Sequence, residues 1–205
     1  MGAFEEQPCV GLFGTCGDST FRQDLFIPEY ERMGIPYYNP QKKPGTWSPE
    51  DIPLEADHIN YDVVQDWPVT DETYGTGSLS EQGYSVANSI RGSSPLPKFV
   101  VAMIAPDLDV SLDDTVARQE SIRARKLSAT HLERQESPNV FVVDSLDEMV
   151  ETSVVLYEAA VKIVYLVKEH NPAFKRFIAG RNEAEVFRQA LESGQLGSGV
   201  ANIVK

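Results

Sequence analysis

The sequence predicts an α/β domain built on a doubly wound parallel sheet of five strands. Short apolar runs, each ended by Gly, Pro, Asn or Asp, alternate along the chain with longer segments of helical spacing. Such alternation folds into a parallel sheet with right-handed crossovers and helices on both faces. The 205 residues suffice for one core of that kind with some chain to spare. Five strands suit the flavodoxin-like arrangement.

The strands are expected at Cys9–Phe13, Pro36–Tyr38, Asp62–Val69, Phe99–Ile104 and Val140–Val143. Helical segments fill 20–33, 49–60, 78–91 and 112–135. The first contains Pro28, which kinks or divides it, and Gly34 is placed to end it in a left-handed cap. A long amphipathic helix follows over Leu146–His170, with Leu146, Met149, Val150, Leu156, Ile163 and Val167 at helical spacing. Pro172 breaks that pattern. Residues 172–205, with a further helix over about Asn182–Glu192, make a C-terminal helical extension to the 1–171 domain, packed on it or on a neighbouring subunit.

Charge narrows the partners. The formal net charge is −13 and the pI about 4.6, a surface that repels phosphate backbones and anionic lipid headgroups. Nucleic-acid and membrane-surface partners are therefore not expected. Two cysteines, Cys9 and Cys16, are too few for a disulfide framework, and the first residues lack an apolar signal run. The expected setting is a reducing cytoplasm. The surplus apolar surface of the long helix and the segment after it predicts a homo-oligomer.

Ligands of doubly wound sheets bind beyond the carboxyl ends of the strands. The loops Gly14–Ser19, Asn39–Trp47 and Asp71–Gly77 follow the first three strands, so they should share one rim. In FGTCGDST, Gly14, Thr15, Cys16, Gly17 and Asp18 form a turn whose N–H groups suit an anion or sugar hydroxyls, or a plain turn with Asp18 or Ser19 as cap. Asn39 and Gln41 carry amides able to read a base edge, and Trp47 a ring able to stack on it; turn chemistry and packing are the competing roles. His58, His131 and His170 show no metal-ligand spacing, and no cofactor is implied. His58 reads as a surface residue. The run Arg118–Lys126 reads as a solvated helix face or an intersubunit contact.

Glu81 is the sharpest ambiguity. Ser78-Leu79-Ser80-Glu81 matches a capping box, and Ser145–Glu148 repeats the pattern. Asp62, Asp71 and Glu72 precede Glu81 closely, however, and carboxylates gathered in a cleft suit glycosyl transfer, one as nucleophile and one as proton donor.

The ordered set GLFGTCGDSTFRQD, GIPYYNPQ and DETYGTGSLSEQGYSVA resembles the nucleoside 2-deoxyribosyltransferase family over about Val10–Glu148. The resemblance implies a flavodoxin-like homo-oligomer exchanging the bases of 2′-deoxynucleosides with free nucleobases, through a deoxyribosyl intermediate on a glutamate. It casts Glu81 as that nucleophile and Asp62 as the residue that contacts the base and moves its proton. Asp71 and Glu72 remain alternatives for the acid that holds the sugar hydroxyls. The Gly14–Asp18 loop, Asn39–Gln41, Trp47 and Ser78 stand where substrate is bound. Two other readings stay open, an N-glycosidase in which water replaces the acceptor base and a nucleotide-sensing domain without catalysis.

Overall fold

Strand β3, Val64–Val69, is buried along its whole length, as a central parallel strand covered on both faces must be. The computed structural model containing it describes residues 8–43, 46, 48–91, 97–109, 111–112 and 115–165. The other strands are β1 Val10–Leu12, β2 Tyr37–Tyr38, β4 Phe99–Ile104 and β5 Val140–Val142. All pairings are parallel and the order is β2-β1-β3-β4-β5. This is the flavodoxin-like arrangement, with its switch point between β1 and β3.

Helices α1 Ile27–Met33, α2 Ile52–Tyr61, α3 Thr76–Arg91, α4 Thr115–Glu133 and α5 Leu146–Tyr165 form the outer layers. Residues alternate across β3. Asp66 points to α1 and α5, where Tyr30 and Ser153 bond it. Trp67 points the other way, into a cluster with Phe13, Ile59 and Val100. The larger core lies on the α1/α5 face and holds Leu12, Phe26, Tyr30, Val64, Met149 and Leu156 among others.

Local chemistry explains the helix ends. The 20–33 segment is divided as Pro28 predicts, into a π-helical turn at Arg22–Phe26 and α1, in whose first turn Pro28 stands and its missing N–H is tolerated. Gly34 closes α1 at φ 67° in the left-handed region, as the sequence predicts. A single turn of 3-10 helix, Pro49–Asp51, leads into α2. Among the described residues no helix is long and apolar enough to cross a membrane. Trp47, the end of the long helix at His170 and the extension from 172 lie outside them.

Pro68 is unusual in a central strand, because it offers no ladder donor. The β1–β3 register ends at Leu12 and Asp66, so Pro68 stands past the point where β1 would need that donor. Its carbonyl instead accepts the Thr15 N–H at 2.9 Å. In doubly wound sheets the ligand crevice belongs at this switch point.

Candidate functional site

The β1 and β3 loops are laced together. The Thr15 and Thr70 hydroxyls share a hydrogen bond, and the Thr70 N–H donates to Thr15 Oγ1 at 3.2 Å. Gly14 sits at φ 85°, and a Cβ there would stand 2.2 Å from the Pro68 carbonyl oxygen. Glycine is required twice over, by conformation and by contact. Gly14→Ala is expected to lose more than about 1 kcal/mol of stability, read as a lower urea midpoint; an unchanged midpoint would contradict this account of the rim.

Two buried arginines fix the loops from below. Arg22 donates to the carbonyls of Leu12 at 2.9 Å and Thr15 at 2.7 Å, and to that of Phe13. Arg125 donates to Val69 and Ala105 at 3.1 Å, Thr70 at 2.8 Å and Thr73 at 2.6 Å. The guanidinium fork suits such a set of convergent carbonyls. This corrects the solvated-face reading of 118–126 at Arg118 and Arg125, while Gln119, Glu120, Arg123 and Lys126 do face water. Arg125 is fully buried, and Arg118 also turns inward to the carbonyls of Leu108, Asp109 and Leu112.

The β2 loop joins the same rim, although its amides are occupied. Gln41 donates to the Gly17 carbonyl at 3.0 Å and the Ser19 carbonyl at 2.8 Å and accepts from Gln23. Asn39 Oδ1 accepts the Gln41 N–H at 3.0 Å. The Gln41 amide, expected to be available to a base, ties the loops together, and Asn39 spends its Oδ1 within its own turn. Thr15 is likewise buried against β3, whereas Cys16 and Asp18 are exposed.

Glu81 settles on the rim side of α3, in its second turn. Ser78 is already inside the helix, so it cannot be the N-cap that a capping box requires. Ser145 and Glu148 do behave that way: the Glu148 N–H donates to Ser145 Oγ at 3.2 Å, and its carboxylate accepts the Asp144 N–H at 3.0 Å. One pattern thus has two outcomes. Glu81 meets water on one side and is crowded by protein on the other; that crowding, then the Glu55 carboxylate, push its carboxyl above the ordinary range. Glu55, in the first turn of α2, is itself raised by burial and by Asp51. Although Cys16 is exposed as a residue, protein crowding around its thiol raises it, Arg22 opposes the rise, and the Glu55 and Glu81 carboxylates add to it.

An aromatic wall runs inward from this acidic mouth. Tyr38 lies 6.2 Å from Phe13, which stacks on Trp67 at 4.7 Å. On its other side Tyr38 stacks on His58 at 3.7 Å and 5°. Burial and the surrounding carboxylates, Glu55 first, push the Tyr38 hydroxyl up to about 12, so it stays a hydrogen-bond donor.

The other expected site residues separate. Asp62 caps the end of α2, at the sheet edge where β3 begins, and is fully buried. His58 Nδ1 lies 3.0 and 3.1 Å from its two oxygens. His58 is therefore a packed, bonded residue rather than a surface one. Asp71 and Glu72 are exposed on the β4 side, where their charges act on Arg125. Glu55, Tyr38 and Phe13 escape sequence reasoning because nothing in their spacing marks them; only the i, i+4 spacing of His58 and Asp62 hints at a pair. No protein-family model matches the chain and no curated protein matches it, which leaves the chemistry of this rim as the guide to function.

Proposed function

We propose that the chain is a nucleoside 2-deoxyribosyltransferase, which moves deoxyribose between bases by a retaining double displacement on Glu81. The observation that carries this reading is that Glu81 is free of the capping role its sequence suggests, at a switch-point rim where the Glu55 carboxylate also acts on it. Retaining glycosyl transfer uses two carboxyls of this kind, one ionised and one holding a proton.

In the first half-reaction ionised Glu81 attacks C1′ as the bond from C1′ to the base nitrogen breaks. The transition state carries positive charge on the sugar, which the two carboxyls stabilise. Glu55, raised by burial, protonates the departing base and recovers that proton from the incoming one. This gives Glu55 the proton-transfer role that the resemblance lends to Asp62, because Asp62 lies bonded to His58 at the other edge. The base is held against Tyr38, and the sugar under the Gly14–Asp18 turn. The helix dipole contributes little, since Glu81 is past the first turn.

Incubation with thymidine or deoxyinosine plus free adenine, followed by chromatography, tests this reading. Deoxyadenosine and the released base are the expected products. Free sugar without deoxyadenosine would make the chain an N-glycosidase, and unchanged nucleoside would overturn the enzymatic reading.

A further inference from the structure

The amino-terminal edge of the sheet, away from the rim, carries a second constellation. Cys9, His58 and Asp62 bring a sulfur, a ring nitrogen and a carboxylate oxygen within 4.8 Å of one another. We propose that these three residues bind one thiophilic divalent cation of the zinc class, with water in the fourth position.

The donors come from rigid pieces of chain. His58 and Asp62 stand four residues apart at the end of α2, and the Asp62 N–H donates to the His58 carbonyl at 2.9 Å. Cys9 directly precedes β1, and its carbonyl accepts the Val63 N–H at 3.1 Å, which fixes it beside the residue after Asp62. The His58 ring is clamped in plane by Tyr38. Gly11 keeps the space open, because a Cβ there would lie 2.7 Å from Asp62 Oδ2.

The distances suit a small cation. Ligands about 2.0–2.3 Å from a tetrahedral metal stand roughly 3.5 Å from each other, and His58 Nδ1 already lies 3.0 Å from Asp62 Oδ1. An ion pair accounts for the histidine and the aspartate, and the Cys9 thiol, which donates to the Val10 carbonyl at 3.7 Å and also meets Asp62, brings a third donor to the same point. Cys9 and His58 are half-buried rather than sealed, so a cation and its water can enter from the edge.

The donor set also selects among metals. A thiolate and an imidazole favour zinc or cobalt over magnesium or calcium, which prefer oxygen alone. The Lys98 ammonium acts on Asp62 as well, which disfavours a cation that brings charge without a strong bond to sulfur. On binding, the Cys9 S–H bond breaks, its proton goes to solvent and a metal–sulfur bond forms. Asp62 binds as carboxylate and His58 through the Nδ1 lone pair. The metal would pin the end of α2 to the start of β1.

Titration of the reduced full chain with Co²⁺, followed by absorbance, tests the site. The expected result is saturation at one cobalt per chain, a thiolate-to-cobalt charge-transfer band, intense tetrahedral visible bands, and loss of all of them on adding Zn²⁺. The charge-transfer band should vanish in Cys9→Ser and persist in Cys16→Ser, and the tetrahedral bands should collapse in His58→Gln. The wild-type titration decides the matter whether or not a variant folds. No saturable band, or a band that follows Cys16 in place of Cys9, would overturn the proposal.

Discussion

Glu81→Ala is expected to fold, to bind nucleoside and to exchange no bases, while Glu148→Ala keeps most of its activity and loses stability. The two glutamates share a sequence pattern and differ in structure, so each is the other's control. Glu148 bonds back to the Asp144 N–H, and removing a cap of this sort costs on the order of 1 kcal/mol. Glu81 lies within α3, where the Glu55 carboxylate acts on it, so its removal deletes the covalent route rather than weakening a helix end. Turnover should fall by several orders of magnitude. Mass spectrometry of wild-type protein trapped with substrate should place a deoxyribosyl adduct on Glu81. Because burial and Glu55 raise the carboxyl that must be ionised, the acid limb of kcat/KM should lie above the ordinary carboxylate range, with activity lost as pH falls through it. Comparable activity in the two alanine variants would mean that Glu81 has no chemical role.

The second large effect concerns stability and belongs to Asp66. Its carboxyl is fully buried in the middle of β3, where Tyr30 donates to Oδ2 at 2.6 Å and Ser153 donates to Oδ1. Burial pushes it up to about 7, against the pull of those two hydroxyls. The folded chain thus holds the proton to about pH 7, whereas the unfolded chain releases it near the ordinary value of about 4. Folding takes up a proton between those limits, so this group's contribution falls as pH rises through the window, by up to about 1.4 kcal/mol per unit, and levels off above it. Asp66→Asn keeps the shape and an acceptor without the charge. Urea unfolding at pH 5 and pH 8 should show a wild-type chain that loses stability across the interval relative to the variant. Equal pH dependence of the two would show that Asp66 does not titrate as its burial demands.

Much of the fold was legible because patterning and punctuation agree. The run Phe99–Ile104 is continuously apolar and forms β4 over that same span, and Gly34 marks the end of α1 where its left-handed conformation is needed. Errors gather where tertiary structure overrides local signals. Ser78 has the credentials of a cap, yet α3 starts earlier, at Thr76, just past Gly75 in its left-handed conformation. Arg125 was invisible because a charged run reads alike whether it faces water or four carbonyls; the sequence does not state where those carbonyls will converge. Gln41 and Asn39 had the right chemistry for base reading, but the rim's own N–H and C=O groups needed partners and claimed theirs first. Glu55 and Tyr38 join the candidate site only through the packing of α2 against the end of β1, a relation that spacing along the chain does not encode.

The two buried arginines also bear on the order in which the rim can assemble. Arg22 reaches carbonyls only 7 to 10 residues away, so the turn after β1 closes through contacts within one short stretch of chain. Arg125 reaches back 52 to 56 residues to Thr73, Thr70 and Val69. That closure waits for β4 and α4, and the loop entropy it must overcome is correspondingly larger. One lip of the crevice thus needs only the local contacts of the first strand and helix. The other is a late product of the whole domain, and a chain ending before α4 would carry Glu81 on a helix with no anchored loop beneath it.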